Sequence, residues 1–418
     1  MNLPLAMRPL RHRSFRFATF ALFASLAGNY LYLTALPFGF IALGGSAFDV
    51  GAGTGIATST QILLLLIGGA VVDRSTSRTV LVVADTARAL ALAAAAILGV
   101  TGHLAIWHLY VVAAIFGGCA AFSAPAVSAI MPTLVPADIL VQGNVLRALA
   151  RQASRALGSL VAGFIVVGAA PAYGFAAAAA LILCAPLLLL RLPRVAADRP
   201  IRAPLAREIA DGTRFIAGVP WLWSTILGFA VVNTAIFSPL AIALPFLVRD
   251  VLLADARSFG AILAAGSVGQ LAGGLLLANL RPRRAGAVMW LAAAASGIAI
   301  AGFGVAPSVG ALLLLALLDG IGFVTFAVVK DSLLQQRVPP RLLGRVASAD
   351  ALGTVALGPT APLVGALTNA YGPRAIFVGG GALAVVLSLL LVALPWIRAL
   401  ELDRDGSDPR GPRGERRG

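Results

Sequence analysis

Nine long stretches without a charged residue restrict most strongly how this chain can fold. They cover residues 17–48, 50–72, 89–137, 156–190, 215–248, 258–280, 285–318, 351–373 and 375–397. The shortest, at 23 residues, can hold one helix across a bilayer, which needs about 20 residues, and the longest can hold a helical hairpin. With 59% hydrophobic and only 12% charged residues, the composition excludes a soluble globular protein.

Turn-forming residues divide the longest stretches, at Gly102-His103, between Gly168 and Gly174, and between Gly304 and Gly310. The pattern predicts an all-α integral membrane protein with twelve transmembrane helices. The expected spans are 16–42, 50–72, 79–101, 105–130, 143–168, 173–192, 221–248, 258–280, 286–305, 309–330, 345–370 and 375–397.

The basic residues predict the orientation of these helices. Of 32 Lys and Arg residues, 28 fall in the N-terminus, in alternate loops and helix starts, and in the C-terminal segment. Because basic residues near helix ends are retained in the cytoplasm, both termini are expected there, and the protein is expected in the plasma membrane. This topology accounts for the net charge of +15, so a nucleic-acid partner is not expected.

The chain divides into two halves that resemble each other weakly at an offset of about 204 residues, as a duplicated six-helix unit would. Gly68-Gly69 with Arg78 corresponds to Gly273-Gly274 with Arg283, and Pro136 to Pro339. We therefore expect two pseudo-symmetric six-helix bundles, at 1–192 and 221–398. A charged linker with an amphipathic helix is expected at 193–220 and a disordered cytoplasmic tail at 399–418.

A motif lies in the predicted loop between the second and third spans, where Gly69 is followed by Asp73-Arg74 and then by Arg78. It resembles the signature loop of the major facilitator superfamily, with Thr76 and Ser77 replacing the usual Gly and Arg. The resemblance implies that the loop latches the two halves on the cytoplasmic side, with Asp350 as the acidic partner of Arg74 or Arg78. The alternative is that Asp73 and the arginines only set topology.

Further segments resemble the branch of that superfamily that contains the enterobactin exporter and related multidrug and macrolide efflux proteins. They are Met131-Pro132-Thr133-Leu134-Val135-Pro136 with Pro125 and Asn144, Glu208 to Pro220, and Gln335-Gln336-Arg337-Val338-Pro339 with Gly344-Arg345-Val346. Gly158-Ser159 departs from the Gly-Pro motif that antiporters of the superfamily carry in the fifth span.

Charged residues inside predicted spans are expected to be functional because they are costly in a bilayer. Asp319, near the middle of the tenth span, has no basic residue within ten positions. Burial without a partner favours its protonated form, as proton coupling requires; an Asp hydrogen-bonded to another helix is the alternative. Asp85 is a second coupling candidate, although a structural ion pair with Arg88, one turn away, is favoured. Arg147, Arg151 and Arg155 repeat on one helix face and are expected to line or latch a cytoplasmic vestibule; attraction of an anionic substrate is the alternative.

Uncharged polar and aromatic side chains near mid-membrane are candidates for a central, mostly apolar substrate cavity. They are Asn29, Tyr32, Gln61, Asn233, Phe237, Gln270 and Phe323. Each could instead connect two helices.

These features favour a secondary transporter that exports a hydrophobic or amphipathic small molecule, such as a drug, siderophore or secondary metabolite, in exchange for protons. Lys330, the only lysine, follows Val328-Val329 without a Gly-rich phosphate-binding loop, so direct ATP hydrolysis is not expected. Neither an enzymatic activity, a cofactor nor a metal site is predicted, and the protein is expected to act as a monomer in the bilayer. The alternatives are nutrient uptake or facilitated diffusion and, in another class, a non-transporting membrane sensor or assembly partner.

Overall fold

The computed structural model of the 418-residue chain describes residues 9–74, 76–130, 134, 139–192, 214–278 and 283–402. At 66–74 it describes the backbone alone. Every regular element in these ranges is a helix, as the uncharged stretches predicted.

The N-terminal half consists of six long helices. They are α1 (Arg13–Ala42), α2 (Ala47–Arg74), α3 (Ser77–Val100), α4 (Ile106–Ile130), α5 (Leu140–Ala169) and α6 (Pro171–Leu189). Each bound lies within a few residues of the predicted span. The agreement follows from the charges, which mark where an apolar helix leaves the hydrocarbon region.

The C-terminal half begins with α7 (Pro220–Ser238), which continues through π-helical turns at Pro239–Ala243 and Leu247–Val251 around the short α-helical segment Leu244–Phe246. The remaining helices are α8 (Ala256–Ala278), α9 (Ala285–Val305), α10 (Val309–Arg337), α11 (Pro340–Ala356), α12 (Ala361–Ala393) and the short α13 (Pro395–Arg398). A 3-10 turn at Gly358–Thr360 joins α11 to α12.

Helix α12 reverses direction at Gly372, whose φ of 80° and ψ of 160° are not helical. Glycine adopts this left-handed φ without the steric cost that a Cβ atom would add. Segment 361–371 therefore completes the predicted eleventh span, and 373–393 forms the predicted twelfth.

Nine helical stretches among the described residues are long and apolar enough to cross a membrane. The last, Leu342–Ala393, has 52 residues and contains the reversal at Gly372, so it holds two passes. Helices α2 and α5 have 28 and 30 residues, which is also sufficient length. The lengths of the described helices are compatible with the twelve predicted passes.

We name the two ends of the helix bundle by their charge: the end where most of the arginines lie is called the basic end, and the other is called the opposite end. The basic end holds the helix ends near residues 13, 77, 189, 220, 285 and 337, and the opposite end holds the connections near residues 44, 102, 170, 253, 307 and 372. Residues 193–213 of the predicted linker at 193–220, and residues 403–418 of the predicted tail at 399–418, lie outside the described residues.

Small residues allow neighbouring helices to pack closely within each half. A Cβ atom at Gly117 of α4 would collide with the backbone of Ala57 on α2, and one at Gly320 of α10 would collide with Gly266 on α8. Such contacts between small residues are typical of helix association in membranes.

Contacts between the halves occur at the opposite end and at mid-membrane. Near the opposite end, Gly51 of α2 packs against Ala361 of α12, and the ring of Phe38 lies edge-on to that of Phe259 at 5.4 Å. A Cβ atom at Gly163 of α5 would lie 3.0 Å from Cα of Arg257 on α8. Helices α2 and α5 therefore hold the halves together at the opposite end.

Candidate functional site

A cavity of about 590 Å³ lies in the N-terminal half. Toward the opposite end, Leu36 of α1 and Gly53 of α2 line the cavity. Near the basic end, Ala18 of α1 and Leu189 of α6 line it. Most of the wall is apolar. The polar and charged side chains that line it are Ser25, Asn29, Tyr30, Tyr32, Thr54, Thr58, Gln61, Asp85, Arg88, Ser123, Arg147 and Arg151.

Asp85 and Arg88 form an ion pair in the cavity wall, with Arg88 Nη1 3.3 Å from Asp85 Oδ1. Ser25 Oγ on α1 also donates to Asp85 Oδ1, at 3.0 Å. Both charged residues are buried, with exposed fractions of 4% and 7%. The predicted pair therefore forms and connects α3 to α1.

An aromatic stack adjoins this ion pair. The rings of Tyr32 and Phe116 are stacked with centroids 3.9 Å apart, and the Arg88 guanidinium lies 5.7 Å from the Phe116 centroid. A cation at this distance from a ring face is attracted by the ring quadrupole. The stack presents a rigid apolar surface beside a fixed charge.

The predicted cavity residues separate into two groups. Asn29, Tyr32 and Gln61 line the cavity. The four from the C-terminal half have other contacts: Asn233 Nδ2 donates to the carbonyl oxygen of Thr354 at 3.1 Å, Phe237 and Phe323 pack edge to face at 5.2 Å, and Gln270 accepts a hydrogen bond from Gln152. In this conformation these four connect helices and do not line the cavity.

Asp319 lies in the C-terminal half, where Ser296 Oγ of α9 donates a hydrogen bond to its carboxylate. Arg155, on α5 of the other half, is close enough to interact with it electrostatically. The residue is half-buried. Its charged neighbour is distant in sequence, so the isolation of Asp319 among its sequence neighbours does not hold in space.

Two polar contacts connect the halves directly. Gln152 Nε2 on α5 donates to Gln270 Oε1 on α8 at 3.0 Å, and the backbone nitrogen of Ala47 on α2 donates to Asn369 Oδ1 on α12 at 3.1 Å. Hydrogen bonds across helices add specificity to packing that is otherwise apolar.

The predicted latch is described only in part. The side chains of Gly69, Asp73 and Arg74 lie outside the described residues. Arg78 donates from Nη2 to the carbonyl oxygen of Leu190 at 2.6 Å, within the N-terminal half. Asp350 instead forms an ion pair with Lys330, within the C-terminal half. Arg78 and Asp350 are therefore not paired with each other in this conformation.

Lys330 and Gln152 were not among the predicted site residues, and Arg155 was predicted as a vestibule residue without Asp319 as its partner. Lys330 is 5% exposed and also lies over the Phe229 ring, with Nζ 4.8 Å from its centroid. As the only lysine of the chain, within an apolar helix, it carried a signal in the sequence. Gln152 carried none, because its partner Gln270 belongs to the other half.

Two helical halves that meet at the opposite end and at mid-membrane, with buried charges in the wall of a cavity, form the architecture of a membrane transporter. The profile of the family described as transmembrane secretion effector matches residues 5–411. The chain belongs to this family of the major facilitator superfamily.

Similar sequences include two kinds of named exporter. The enterobactin exporter EntS of Salmonella paratyphi A is 24% identical over 412 residues, covering 95% of this chain and 96% of the relative. The multidrug efflux pump Tap of Mycolicibacterium fortuitum is 26% identical over 399 residues, covering 91% and 96%.

Similar solved structures support the fold. The nucleoside transporter NupG aligns with a TM-score of 0.69 at 16% identity, covering 91% of this chain and 98% of that one. A bacterial homologue of the iron transporter ferroportin, in an inward-facing state, aligns with a TM-score of 0.69 at 18% identity, covering 92% and 99%.

Proposed function

We propose that the protein is a secondary exporter that moves a hydrophobic or amphipathic small molecule across the plasma membrane in exchange for protons. The observation that carries the proposal is the position of the cavity. It extends toward the basic end, whereas the described contacts between the halves lie at the opposite end and at mid-membrane. Rocking of the halves about these contacts would expose the cavity to each side in turn.

The basic end is assigned to the cytoplasm in this proposal. Arginines crowd the helix ends there, and basic residues are retained on the cytoplasmic side. The cavity would then load from the cytoplasm. The names of the two exporters above agree with that direction, while nutrient uptake remains the competing direction of transport.

Asp319 is the proposed coupling residue. It lies near the middle of α10 and interacts with Arg155 of the other half, close to the bridge between Gln152 and Gln270. Protonation would remove the negative charge and with it the attraction to Arg155. Proton binding would therefore weaken contact between the halves, which links the proton gradient to the change in conformation. Asp85 is the weaker candidate, because Arg88 and Ser25 stabilise its charged form.

A latch at the basic end belongs to the same cycle. We propose that Gly69, Asp73, Arg74 and Arg78 meet Asp350 when the cavity closes toward the cytoplasm. Asp350 would then exchange Lys330 for an arginine of the N-terminal half. A bistable ion pair of this kind is a common element of conformational switching.

The test is a proton-exchange assay in everted membrane vesicles, in which a proton gradient is reported by acridine orange. Nile red, N-dansyl-phenylalanine and ethidium supply neutral, anionic and cationic amphipathic substrates. We expect at least one to release protons only when the protein is present. Proton release without the protein, or accumulation of the compound in cells that express it, contradicts export by exchange.

Variants of Asp319 test the coupling step. Asp319→Asn is expected to abolish proton-coupled transport but to retain the exchange of labelled for unlabelled substrate across the membrane at equilibrium. Asp319→Glu is expected to retain part of the coupling. Asp331→Asn, on the same helix but with a 61% exposed side chain, is the matched control. Undiminished coupling in Asp319→Asn would exclude the role.

A further inference from the structure

The charges that line the cavity are unbalanced. Three arginines, Arg88, Arg147 and Arg151, and one carboxylate, Asp85, line it among the described residues. Asp85 is already engaged by Ser25 and Arg88. The wall therefore carries positive charge that no lining carboxylate neutralises.

Arg88 retains an unused hydrogen-bond donor. Its Nη1 atom contacts Asp85, but its buried Nε has no hydrogen-bond partner in the structure. The residue is only 7% exposed, and an unsatisfied donor at this burial is costly. An acceptor atom on a bound molecule would satisfy it.

Arg147 and Arg151 lie one turn apart on α5, and each is within the electrostatic field of the other. Like charges at this spacing repel. Charge near the basic end can be ascribed to topology, but topology does not require that side chains line a cavity. Arg155, one turn further, lies against Tyr30 and near Asp319 instead.

An apolar wall stands beside these cations. Leu22, Leu26 and Leu36 line the same cavity as the arginines, together with the stacked rings of Tyr32 and Phe116. A molecule that satisfied both parts of the wall would have an apolar body and an acidic group.

We propose that the cavity selects amphipathic organic anions, whose acidic group binds between Arg147 and Arg151, whose apolar body packs on the Tyr32–Phe116 stack, and which carry an acceptor atom that reaches Nε of Arg88. The inference rests on the proposed function and specifies the substrate class of that transporter. A membrane potential that is negative inside favours outward movement of an anion, so the charge of the substrate would itself assist export.

Binding to the purified, full-length protein in lipid nanodiscs tests the proposal without requiring transport. The probes are the N-dansyl derivatives of glycine, leucine and phenylalanine, each compared with its methyl ester. The ester has the same fluorophore and nearly the same apolar body but no charge. We expect the carboxylates to bind at least tenfold more tightly than the esters, with affinity rising from glycine to phenylalanine. Equal affinities, or failure of all three carboxylates to bind, would overturn the proposal.

Arginine variants locate the site. Arg147→Gln with Arg151→Gln is expected to remove the preference for the carboxylate, and Arg151→Lys is expected to keep most of it. Arg191→Gln is the matched control, because Arg191 lies at the same end of the same half and contacts Phe17 instead of the cavity. A preference that persists in the double variant, or that falls equally in Arg191→Gln, contradicts binding at this site.

Transport of the same probes into everted vesicles separates the two proposals. Binding that is selective for the carboxylates, without transport of them, would support the proposed anion site and contradict the proposed exporter function. Transport of esters and carboxylates at equal rates would retain the exporter and refute the anion site.

Discussion

Gln152 and Gln270 join the two halves of the protein through a side-chain hydrogen bond of 3.0 Å between Nε2 of the first and Oε1 of the second. The bond lies where α5 meets α8, one turn of α5 from Arg155. It is a specific polar link between α5 and α8, which also pack closely through small residues such as Gly163 and Gly260.

Replacing either glutamine by leucine should lower the free energy of unfolding. The double variant should lose less unfolding free energy than the sum of the losses in the two single variants. The expected coupling energy is about 0.6 to 1.7 kcal/mol, the range found for hydrogen bonds between membrane helices. Thermal or denaturant unfolding of the purified protein in detergent measures it as a double-mutant cycle.

Ser267 supplies the control for this cycle. It lies on α8 near Gln270, but its hydroxyl bonds to Leu263 of its own helix at 3.1 Å. The losses of unfolding free energy caused by Gln152→Leu and by Ser267→Ala should therefore be additive. Additive losses for Gln152→Leu and Gln270→Leu would show that the hydrogen bond does not join the halves in the membrane protein.

Closure at the opposite end depends on Gly365. A Cβ atom there would collide with the carbonyl oxygen of Ala47 and approach Cα of Phe48 at 2.8 Å, both in the other half. Gly365→Ala should therefore shift the population toward conformations in which the two halves are separated at the opposite end. Gly379→Ala, in the next membrane pass beyond the reversal at Gly372 and with nothing within 4 Å of the added Cβ atom, should have no effect.

Labelling of the cavity measures this shift. With Cys119 and Cys184 replaced by serine, Ser25→Cys places a single thiol in the cavity wall. Its reaction with an impermeant maleimide in everted vesicles should slow several-fold in the Gly365→Ala background. Unchanged or faster labelling would contradict the assignment of the closed end.

The sequence predicted helix positions well because charged residues are costly in hydrocarbon, so that uncharged stretches, which are a local property of the sequence, mark the membrane-spanning helices. It also predicted the pair of Asp85 and Arg88, since residues three apart on a helix are neighbours. It could not predict that Arg155 interacts electrostatically with Asp319, because that interaction depends on how the halves dock. The same reason explains why Gln270 bonds to Gln152 instead of lining the cavity. The bond of Asn233 to Thr354 depends on how helices pack within the C-terminal half, which the sequence does not reveal either.

The ion pair of Lys330 and Asp350 should be costly to break from one side. Lys330 is 5% exposed, and its removal leaves the Asp350 charge without its cation and with Oδ1 already unsatisfied. Lys330→Met should lose about 3 to 5 kcal/mol of unfolding free energy, and Lys330→Met with Asp350→Leu should recover most of it. Asp331→Asn, which removes an exposed partner 3.7 Å from Lys330, should cost less than about 1 kcal/mol. Denaturant unfolding in detergent gives all three values, and a double variant no more stable than Lys330→Met would contradict a direct pair.

Asn29 and Asn233 occupy similar depths in the first helix of each half, but the structure assigns them different roles. Asn29 lines the cavity, and Asn233 bonds to the carbonyl oxygen of Thr354 at 3.1 Å. Asn29→Leu should leave stability nearly unchanged and alter the affinity for Nile red, since it makes a cavity wall less polar. Asn233→Leu should lower the unfolding free energy by about 1 kcal/mol, because it removes a hydrogen bond between helices and leaves that carbonyl without this donor. Nile red fluorescence titrations and unfolding curves on both variants check the distinction. A loss of stability in Asn29→Leu with an unchanged Asn233→Leu would contradict this assignment of roles.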